Sequence, residues 1–187
     1  CPPITTGDRT AMAEAQIEIA KKTIEFSTNS ALNRLKWIRR NKDLEDLTNQ
    51  NIKFNFSNQM LASISEAIKV STEKKIKKKD NDTFYWSEGS LGFGTIFETN
   101  SSSKKKLTTN GLTFGADKFD KNGGIKGLAF RLGINEVNVG FSGGDLDTDT
   151  YNLTYYSTSP LKKDNRYLDT IIGIGLLKSD ITNVLDG

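Results

Sequence analysis

The chain has 187 residues, no histidine and a single cysteine, Cys1. Without histidine, a serine nucleophile lacks its usual base, and the common zinc sites cannot be assembled. One cysteine cannot form a disulfide within the chain. No stretch approaches the ~18 consecutive apolar residues that a transmembrane helix requires. These absences argue against a zinc enzyme, a serine hydrolase with a histidine base and a helical membrane protein.

Glycine is almost absent from the first half of the chain. Gly7 is the only glycine before Gly89, whereas fifteen glycines lie from there to the last residue. Aromatic residues have the same bias, since thirteen of seventeen lie at or after Phe84. We therefore divide the sequence into a polar helical region, residues 1–81, and a strand region, residues 82–187. Strands rich in glycine and aromatics, with no helices between them, are typical of a barrel or a sandwich.

Apolar residues make up only 35% of the chain, and the net charge is +3. Such a low apolar content leaves partial disorder, a thin core, or a barrel with one polar wall. Residues 1–81 carry 15 basic and 10 acidic residues, whereas residues 82–187 carry 11 and 13. The basic excess is concentrated at 74–79, where no aromatics are interleaved to stack on bases. We interpret this run as a solvated linker and predict no nucleic-acid partner.

Apolar spacing in the first region predicts helices. One helix is expected to begin near Asp8 or Thr10 and to run through Arg40, with residues 27–30 as an interruption. A second helix is expected to begin at residue 57 or 58 and to lead into the lysine run at 74–79.

Five strands are predicted after residue 82. Their connections are short or loop-like, and Asn122-Gly123 supplies the positive φ that a tight hairpin turn demands. The predicted fold class is therefore mainly β with an N-terminal α-helical region, its strands forming a partial up-and-down antiparallel meander. The strands are expected over residues 83–98, 107–118, 125–135, 148–158 and 166–178.

Side chains of two kinds alternate along these strands. Leu112 and Phe114, for example, alternate with Gly111 and Thr113. A membrane barrel turns its large apolar side chains to lipid and its polar ones inward. A one-sided soluble sheet packed on the N-terminal helices produces the same alternation, so the pattern alone leaves both architectures open.

Two motifs point to chemistry without completing it. Residues 140–144 fit a nucleophile elbow but lack a base and a strand-to-helix context. Asp145, Asp147 and Asp149 begin like a calcium loop, yet the required glycine and bidentate glutamate are missing, which leaves at most a weak cation site. We predict no catalytic residue, no cofactor and no metal centre. Five aromatics near strand ends are expected to form an interfacial girdle rather than a sugar-binding surface: Tyr85, Trp86, Tyr155, Tyr156 and Tyr167.

Several strand segments, taken in order, resemble the translocator barrel of bacterial autotransporters, the type V secretion proteins. The likeness covers about residues 83–180. It rests on Trp86-Ser87-Glu88-Gly89, on the GLTFGAD stretch at 111–117, on GLAF at 127–130, and on the segments 149–156 and 167–175.

This resemblance implies a transmembrane β-barrel in the bacterial outer membrane, with a helix threading its lumen. It implies export of an upstream passenger domain, with outer-membrane lipid and the barrel-assembly machinery as partners, and no enzymatic activity. The sequence starts without methionine and stops in mid-pattern, so we expect an internal piece holding the first five or so strands. Residues 1–81 would then be the linker and lumen-helix region, with 57–79 as the nearest candidate for the lumen helix.

The two faces receive different assignments under this interpretation. Glu88, Arg131 and Asp169 are predicted to face the lumen, where the carboxylates would suit a basic helix. The alternative function is a soluble or surface-exposed binding or adhesion module, with the sheet packed on amphipathic helices. The predicted lipid-facing residues are Leu112, Phe114, Leu128, Phe130, Leu132, Leu168, Ile172 and Ile174.

Overall fold

A computed structural model describes residues 6–41, 44, 47–51, 83–140, 144–161 and 166–182. One helix and a six-stranded sheet make up this part of the chain, which confirms the predicted fold class. The elements are α1 (Thr6–Arg40), β1 (Asn49–Asn51), β2 (Thr83–Ile96), β3 (Lys105–Phe119), β4 (Ile125–Val139), β5 (Gly144–Pro160) and β6 (Tyr167–Thr182).

The sheet is an open meander in which each strand pairs with its neighbours in the chain. β2 to β6 are antiparallel throughout and correspond to the five predicted strands. β1 was not predicted, and it pairs in parallel with β2 so that Asn49 lies opposite Trp86.

The tight turn between β3 and β4 forms where Asn-Gly predicts it. Asp120 N–H donates to the carbonyl of Gly124 (2.7 Å), and Gly123 has a φ of 75°. A side-chain hydrogen bond from Lys126, 2.8 Å away, holds the pKa of the Asp120 carboxyl below its ordinary value. Glycine is needed at 123 because other residues rarely adopt this φ.

Helix α1 is one uninterrupted helix of 35 residues, about 52 Å long at 1.5 Å per residue. It begins at Thr6, earlier than expected, and the predicted interruption at 27–30 is wrong. Ser27 and Ser30 are both buried. Their short side chains let the helix continue through these positions close to the sheet. The second predicted helix lies outside the described residues. In the part of the chain that the structure describes, no helix is long and apolar enough to cross a membrane.

We define the inner face of the sheet as the side of β2–β6 that contacts α1, and the outer face as the opposite side. Two apolar clusters join α1 to the inner face, one near each end of the helix. Between them lies a buried layer of threonine, serine, asparagine and arginine. The cluster near Thr6 contains Ala11, Met12, Ala15, Ile19, Leu107, Val137, Val139 and Leu146, and the cluster near Arg40 contains Ala31, Leu35, Ile38, Leu47, Phe84, Trp86, Ile125, Ala129 and Tyr156.

Two inner-face glycines make room for aromatic rings of the neighbouring strand. Gly115 is directly opposite Trp86, and Gly127 is directly opposite Tyr156. A Cβ at Gly115 would lie 2.5 Å from Trp86 Cε2, and one at Gly127 would lie 2.6 Å from Tyr156 Cε2. The two rings meet edge to face, with centroids 6.0 Å apart. Glycine therefore lets both rings lie flat over the backbone instead of pushing α1 away.

We expect Gly127→Ala to lower the free energy of unfolding by about 1–3 kcal/mol, since the added methyl group displaces the Tyr156 ring. Gly173→Ala is the matched control, because a Cβ there meets nothing closer than 3.4 Å. Its effect should stay within about 0.5 kcal/mol. Denaturant titration in detergent micelles measures both values. Equal effects of the two substitutions would show that the ring and the glycine are not fitted to each other.

Candidate functional site

The contact between α1 and the inner face is organised by one buried ion pair. Arg34 Nε donates to Asp117 Oδ2 (2.7 Å), and Nη2 donates to Oδ1 (2.9 Å). The two side chains are only 2% and 1% exposed. This two-bond geometry suits the planar guanidinium and fixes the rotation of the helix about its axis as well as its distance from the sheet.

Two aromatic side chains extend this pair into a hydrogen-bonded chain. Tyr156 Oη donates to Asp117 Oδ2 (2.7 Å), and Trp86 Nε1 donates to Tyr156 Oη (2.6 Å). The Arg34 guanidinium also lies 5.1 Å from the ring centroid of Trp37. The buried carboxylate thus accepts bonds from α1, through Arg34, and from β5, through Tyr156. The network links the helix to three strands, since Asp117 and Trp86 belong to β3 and β2.

A second, half-buried ion pair lies at the C-terminal end of α1. Arg39 Nη1 donates to Asp169 Oδ1 (2.7 Å) and to Thr158 Oγ1 (3.1 Å). Nearly two turns earlier, Asn33 Nδ2 lies 3.4 Å from Glu88 Oε1. The last two turns of α1 carry basic but no acidic side chains. Their charge is therefore complementary to the carboxylates that the inner face presents at this end.

The N-terminal part of α1 is held at the opposite end of the strands. Glu14 accepts hydrogen bonds from Lys105 Nζ and from Ser102 Oγ, the latter at 2.7 Å. The backbone N–H of Ser103 donates to the carbonyl of Gly7 (3.3 Å). Helix α1 contacts one end of the strands near Gly7 and the other end through Arg39, so it runs along their full length.

These contacts hold the helix rather than assemble a reaction centre. Ser102 Oγ lies 2.9 Å from Lys105 Nζ, a nucleophile beside an amine. Lys105 Nζ donates to Ser102 Oγ and forms an ion pair with the Glu14 carboxylate, so these three side chains hold α1 in place. The described residues contain no group of three or more potential metal ligands. Of the elbow motif, residues 141–143 lie outside the described part of the chain.

The three residues predicted to face a lumen all lie on the inner face. Glu88 is next to Asn33, Asp169 is bonded to Arg39, and Arg131 lies under the ring of Phe26, 4.9 Å from its centroid. The structure thus brings all three to α1, although to different parts of it. Whether that space is a membrane lumen remains a prediction.

The eight residues predicted to face lipid all lie on the outer face, as the strand register and the alternating burial of β3–β6 show. Leu128, Ile172 and Ile174 are 54%, 66% and 74% exposed. Leu112 and Leu132 are instead covered by neighbours on the same face, Phe114 and Phe130 among them. Leu168, at the start of β6, is also exposed. Their contact with lipid remains a prediction.

The apolar part of the outer face is a band with polar rims. In β4 it extends from Leu128 to Ile134, about 20 Å at 3.4 Å per residue, between the exposed side chains of Lys126 and Glu136. In β6, Ile172, Ile174 and Leu176 continue the same rows. Transmembrane barrels carry such a band, about 25 Å tall.

The girdle prediction is wrong for Trp86 and Tyr156. Both are buried on the inner face, where Trp86 donates to Tyr156 and Tyr156 donates to Asp117. Tyr85 and Tyr155 do lie on the outer face, in the row next to the Lys126 rim. The guanidinium of Arg39 lies over the ring of Tyr167, with Arg39 Cζ 5.2 Å from the ring centroid.

Sequence reasoning missed the pairs that hold the helix. Neither Asp117 nor its partner Arg34 was given a role. Alternation could have located the aromatics as well, since Tyr155 and Tyr156 are adjacent in one strand and must point to opposite faces. No local signal pairs Arg34 with a carboxylate 83 positions away.

The family model described as Autotransporter beta-domain matches residues 85–187, more than half of the chain. The match begins within β2 and includes the whole of β3 to β6. No curated protein and no solved structure matches the chain.

We expect Asp117→Asn to lower the free energy of unfolding by about 3–5 kcal/mol, because it leaves the Arg34 guanidinium buried without a counter-charge. The double variant Arg34→Met/Asp117→Leu removes both charges and should recover most of that loss. Asp169→Asn is the control, since its partner Arg39 is half-exposed, and it should cost only about 1 kcal/mol. Denaturant titration of the four proteins measures these differences. If the double variant loses as much stability as Asp117→Asn or more, Arg34 and Asp117 are not coupled.

Proposed function

This chain belongs to the autotransporter β-domain family, and we propose that it anchors an N-terminal passenger in the bacterial outer membrane and exports it. The family is one of translocator domains located in the outer membrane. In this protein, the segment that precedes the domain would be the passenger that is exported and then stays anchored to it. We also propose that the domain has no catalytic activity of its own, so that any enzymatic activity of the protein would belong to the passenger.

One observation carries the proposal: α1 packs on the small, polar face of the sheet and leaves the large apolar face uncovered. In a soluble module the helix would cover the apolar face, because burial of apolar area drives folding in water. Here Ile172, Ile174 and Leu176 are each about two-thirds exposed or more, at 66%, 74% and 65%. An exposed apolar band of this width is typical of a lipid or protein contact. This packing speaks against the alternative of a soluble binding module.

Outer-membrane lipid is the partner that fits the outer face. Hydrocarbon cannot satisfy backbone N–H and C=O groups, so strands cross a membrane only when they are paired with neighbours. β3, β4 and β5 meet this condition over their full lengths. Lys118 and Lys126 lie in one cross-strand row beyond the apolar band, at the level where headgroups would begin.

We propose barrel-assembly machinery as the second partner because one edge of β6 is unpaired within the described residues. Within the described residues β6 pairs only with β5, and its outer face carries exposed Leu168, Ile172 and Ile174. An unpaired strand edge beside exposed apolar side chains is prone to aggregate. Such an edge needs protection until it is paired and placed in lipid.

The path of α1 supports the direction of export. Its first residue, Thr6, lies at the same end of the sheet as Lys105 and Gly140, and its last, Arg40, lies at the other end. The chain therefore enters α1 at the Lys105 end of the sheet. We propose that this end faces the cell exterior, and that the ion pairs of α1 with the inner face retain the helix after the passenger has passed.

The lipid-facing assignment predicts a steep cost for charge on the outer face. Phe130→Lys should lower membrane stability by about 2–4 kcal/mol, as for a lysine near the midplane of a barrel. Ser157→Lys is the control, since Ser157 shares a row with Lys126 beyond the apolar band, and it should cost no more than about 1 kcal/mol. Reversible unfolding from lipid vesicles measures both. A surface-like cost for Phe130→Lys would contradict the assignment.

Export itself is tested by an epitope inserted before Thr6 in the complete reading frame. We expect the epitope on intact bacteria to bind antibody and to be cut by added protease. A matched epitope in the turn at residues 121–122 should stay protected, because the turn lies at the opposite end of the strands. An N-terminal epitope that stays protected while β2–β6 resist extraction from the outer membrane would refute export and leave the anchor intact.

A further inference from the structure

Arg131 is a buried cation without a carboxylate contact. Its side chain is 1% exposed, and Nη1 donates to Thr113 Oγ1 (3.3 Å) while the guanidinium lies under the Phe26 ring. Among the described residues its Nε–H has no partner. Glu88 lies in the same cross-strand row, but Thr113 stands between them and the carboxylate faces Asn33.

The other carboxylates that reach the inner face already have partners. Asp117 is paired with Arg34, Asp169 with Arg39, and Glu14, on α1, with Lys105. Burial of a charge without compensation costs several kcal/mol. Arg131 is thus a buried cation that forms no direct ion pair among the described residues, and Glu88 acts on its charge only at longer range.

Two hydroxyl-bearing residues occupy strand positions next to the one that this guanidinium covers. The guanidinium covers Gly111, where an added Cβ would be 2.5 Å from Arg131 Cζ. Ser90 is directly opposite Gly111, and Thr109 is two residues before it, so both point to the same face. Ser90 Oγ and Thr109 Oγ1 are buried, and neither has a hydrogen-bond partner in the described part of the chain.

Phe26 closes this space from the helix side. Its Cζ lies 3.1 Å from the position of a Cβ on Gly92, and a further ring atom lies close by. Gly92 is directly opposite Thr109. The next helix residue, Ser27, contributes another buried hydroxyl without a partner among the described residues. The Phe26 ring therefore covers both Arg131 and the position of Gly92, opposite Thr109.

The chemistry of these groups selects the ligand. A guanidinium N–H can only donate, and hydroxyl hydrogens rotate to suit an acceptor. Donors that surround a fixed positive charge bind an anion, whereas they repel a metal cation. We infer that Arg131, Ser90 and Thr109 form a binding site for a small inorganic anion, for which chloride is the probe. The site would stabilise the docked helix, and it does not depend on export of a passenger.

A thermal-shift experiment tests the site in the complete chain in detergent micelles. We compare Tm in sodium chloride and in sodium gluconate at equal ionic strength, since gluconate is too large for an enclosed site. Chloride at about ten times its Kd should raise Tm by roughly 3–5 °C. The rise should saturate with concentration, which distinguishes binding from general screening.

Two conservative variants assign the effect to the site. Thr109→Val and Ser90→Ala remove one hydroxyl each and keep Arg131. Each should raise the Kd for chloride, read from the rise in Tm, by about tenfold. Thr148→Val is the control, because Thr148 Oγ1 is bonded to Ser179 Oγ elsewhere on the inner face. It should leave the chloride dependence unchanged.

Chloride-35 line broadening supplies a direct reading that does not depend on stability. Wild-type protein should broaden the chloride line, and nitrate or bromide should reverse the broadening by competition. Thr109→Val should reduce the broadening and Thr148→Val should not. Equal Tm in chloride and gluconate, or broadening unaffected by Thr109→Val, would overturn the proposal and assign the space to water.

Discussion

The arrangement of this chain depends on a buried ion pair, Arg34 with Asp117. A charge placed between a helix and a sheet, out of reach of water, is tolerated only if its partner meets it in one geometry. That requirement fixes the helix along its axis and about it, because the guanidinium bonds through two nitrogens. Tyr156 and Trp86 then take their positions from the same carboxylate. The pair is less a source of stability than a constraint on where α1 can lie, since two well-packed apolar side chains would stabilise the contact as well.

The rest of the inner face follows from a helix at that distance. Gly115 and Gly127 have no side chain where the two aromatic rings lie, and serine replaces larger residues on the buried side of α1. Hydroxyl groups fill the layer between the apolar clusters, which a water-soluble core would fill with aliphatic side chains. The large apolar residues are displaced to the outer face as a consequence. A polar inside and an apolar outside are thus two results of the same packing, and both agree with membership of a translocator family.

The strands and the faces of their side chains could largely be predicted from the sequence, because a period of two is unambiguous when large and small residues alternate. The faces of Leu112, Arg131 and Asp169 came from that alternation alone. Pairing across long separations was not readable, so Arg34 and Asp117 were missed. The continuity of α1 through Ser27 was missed for a related reason: serine favours caps and turns in isolation, and only the sheet explains why a short side chain is needed there. Trp86 was misassigned by residue type, since tryptophan at a strand end suits a membrane interface equally well.

The position of α1 against the inner face is tested most directly by a disulfide in intact outer membranes. Asn33→Cys and Glu88→Cys place thiols where two side chains now lie 3.4 Å apart, and Cys1→Ser removes the single native thiol. A protease site engineered between residues 52 and 82 separates helix from sheet unless the disulfide joins them. We predict that oxidation keeps the two fragments together, whereas Ile24→Cys with Glu88→Cys does not, because Ile24 is 62% exposed on the helix. The account would be contradicted if the two fragments of the Asn33→Cys/Glu88→Cys variant separate although its strands are inserted in the membrane and its thiols can be oxidised.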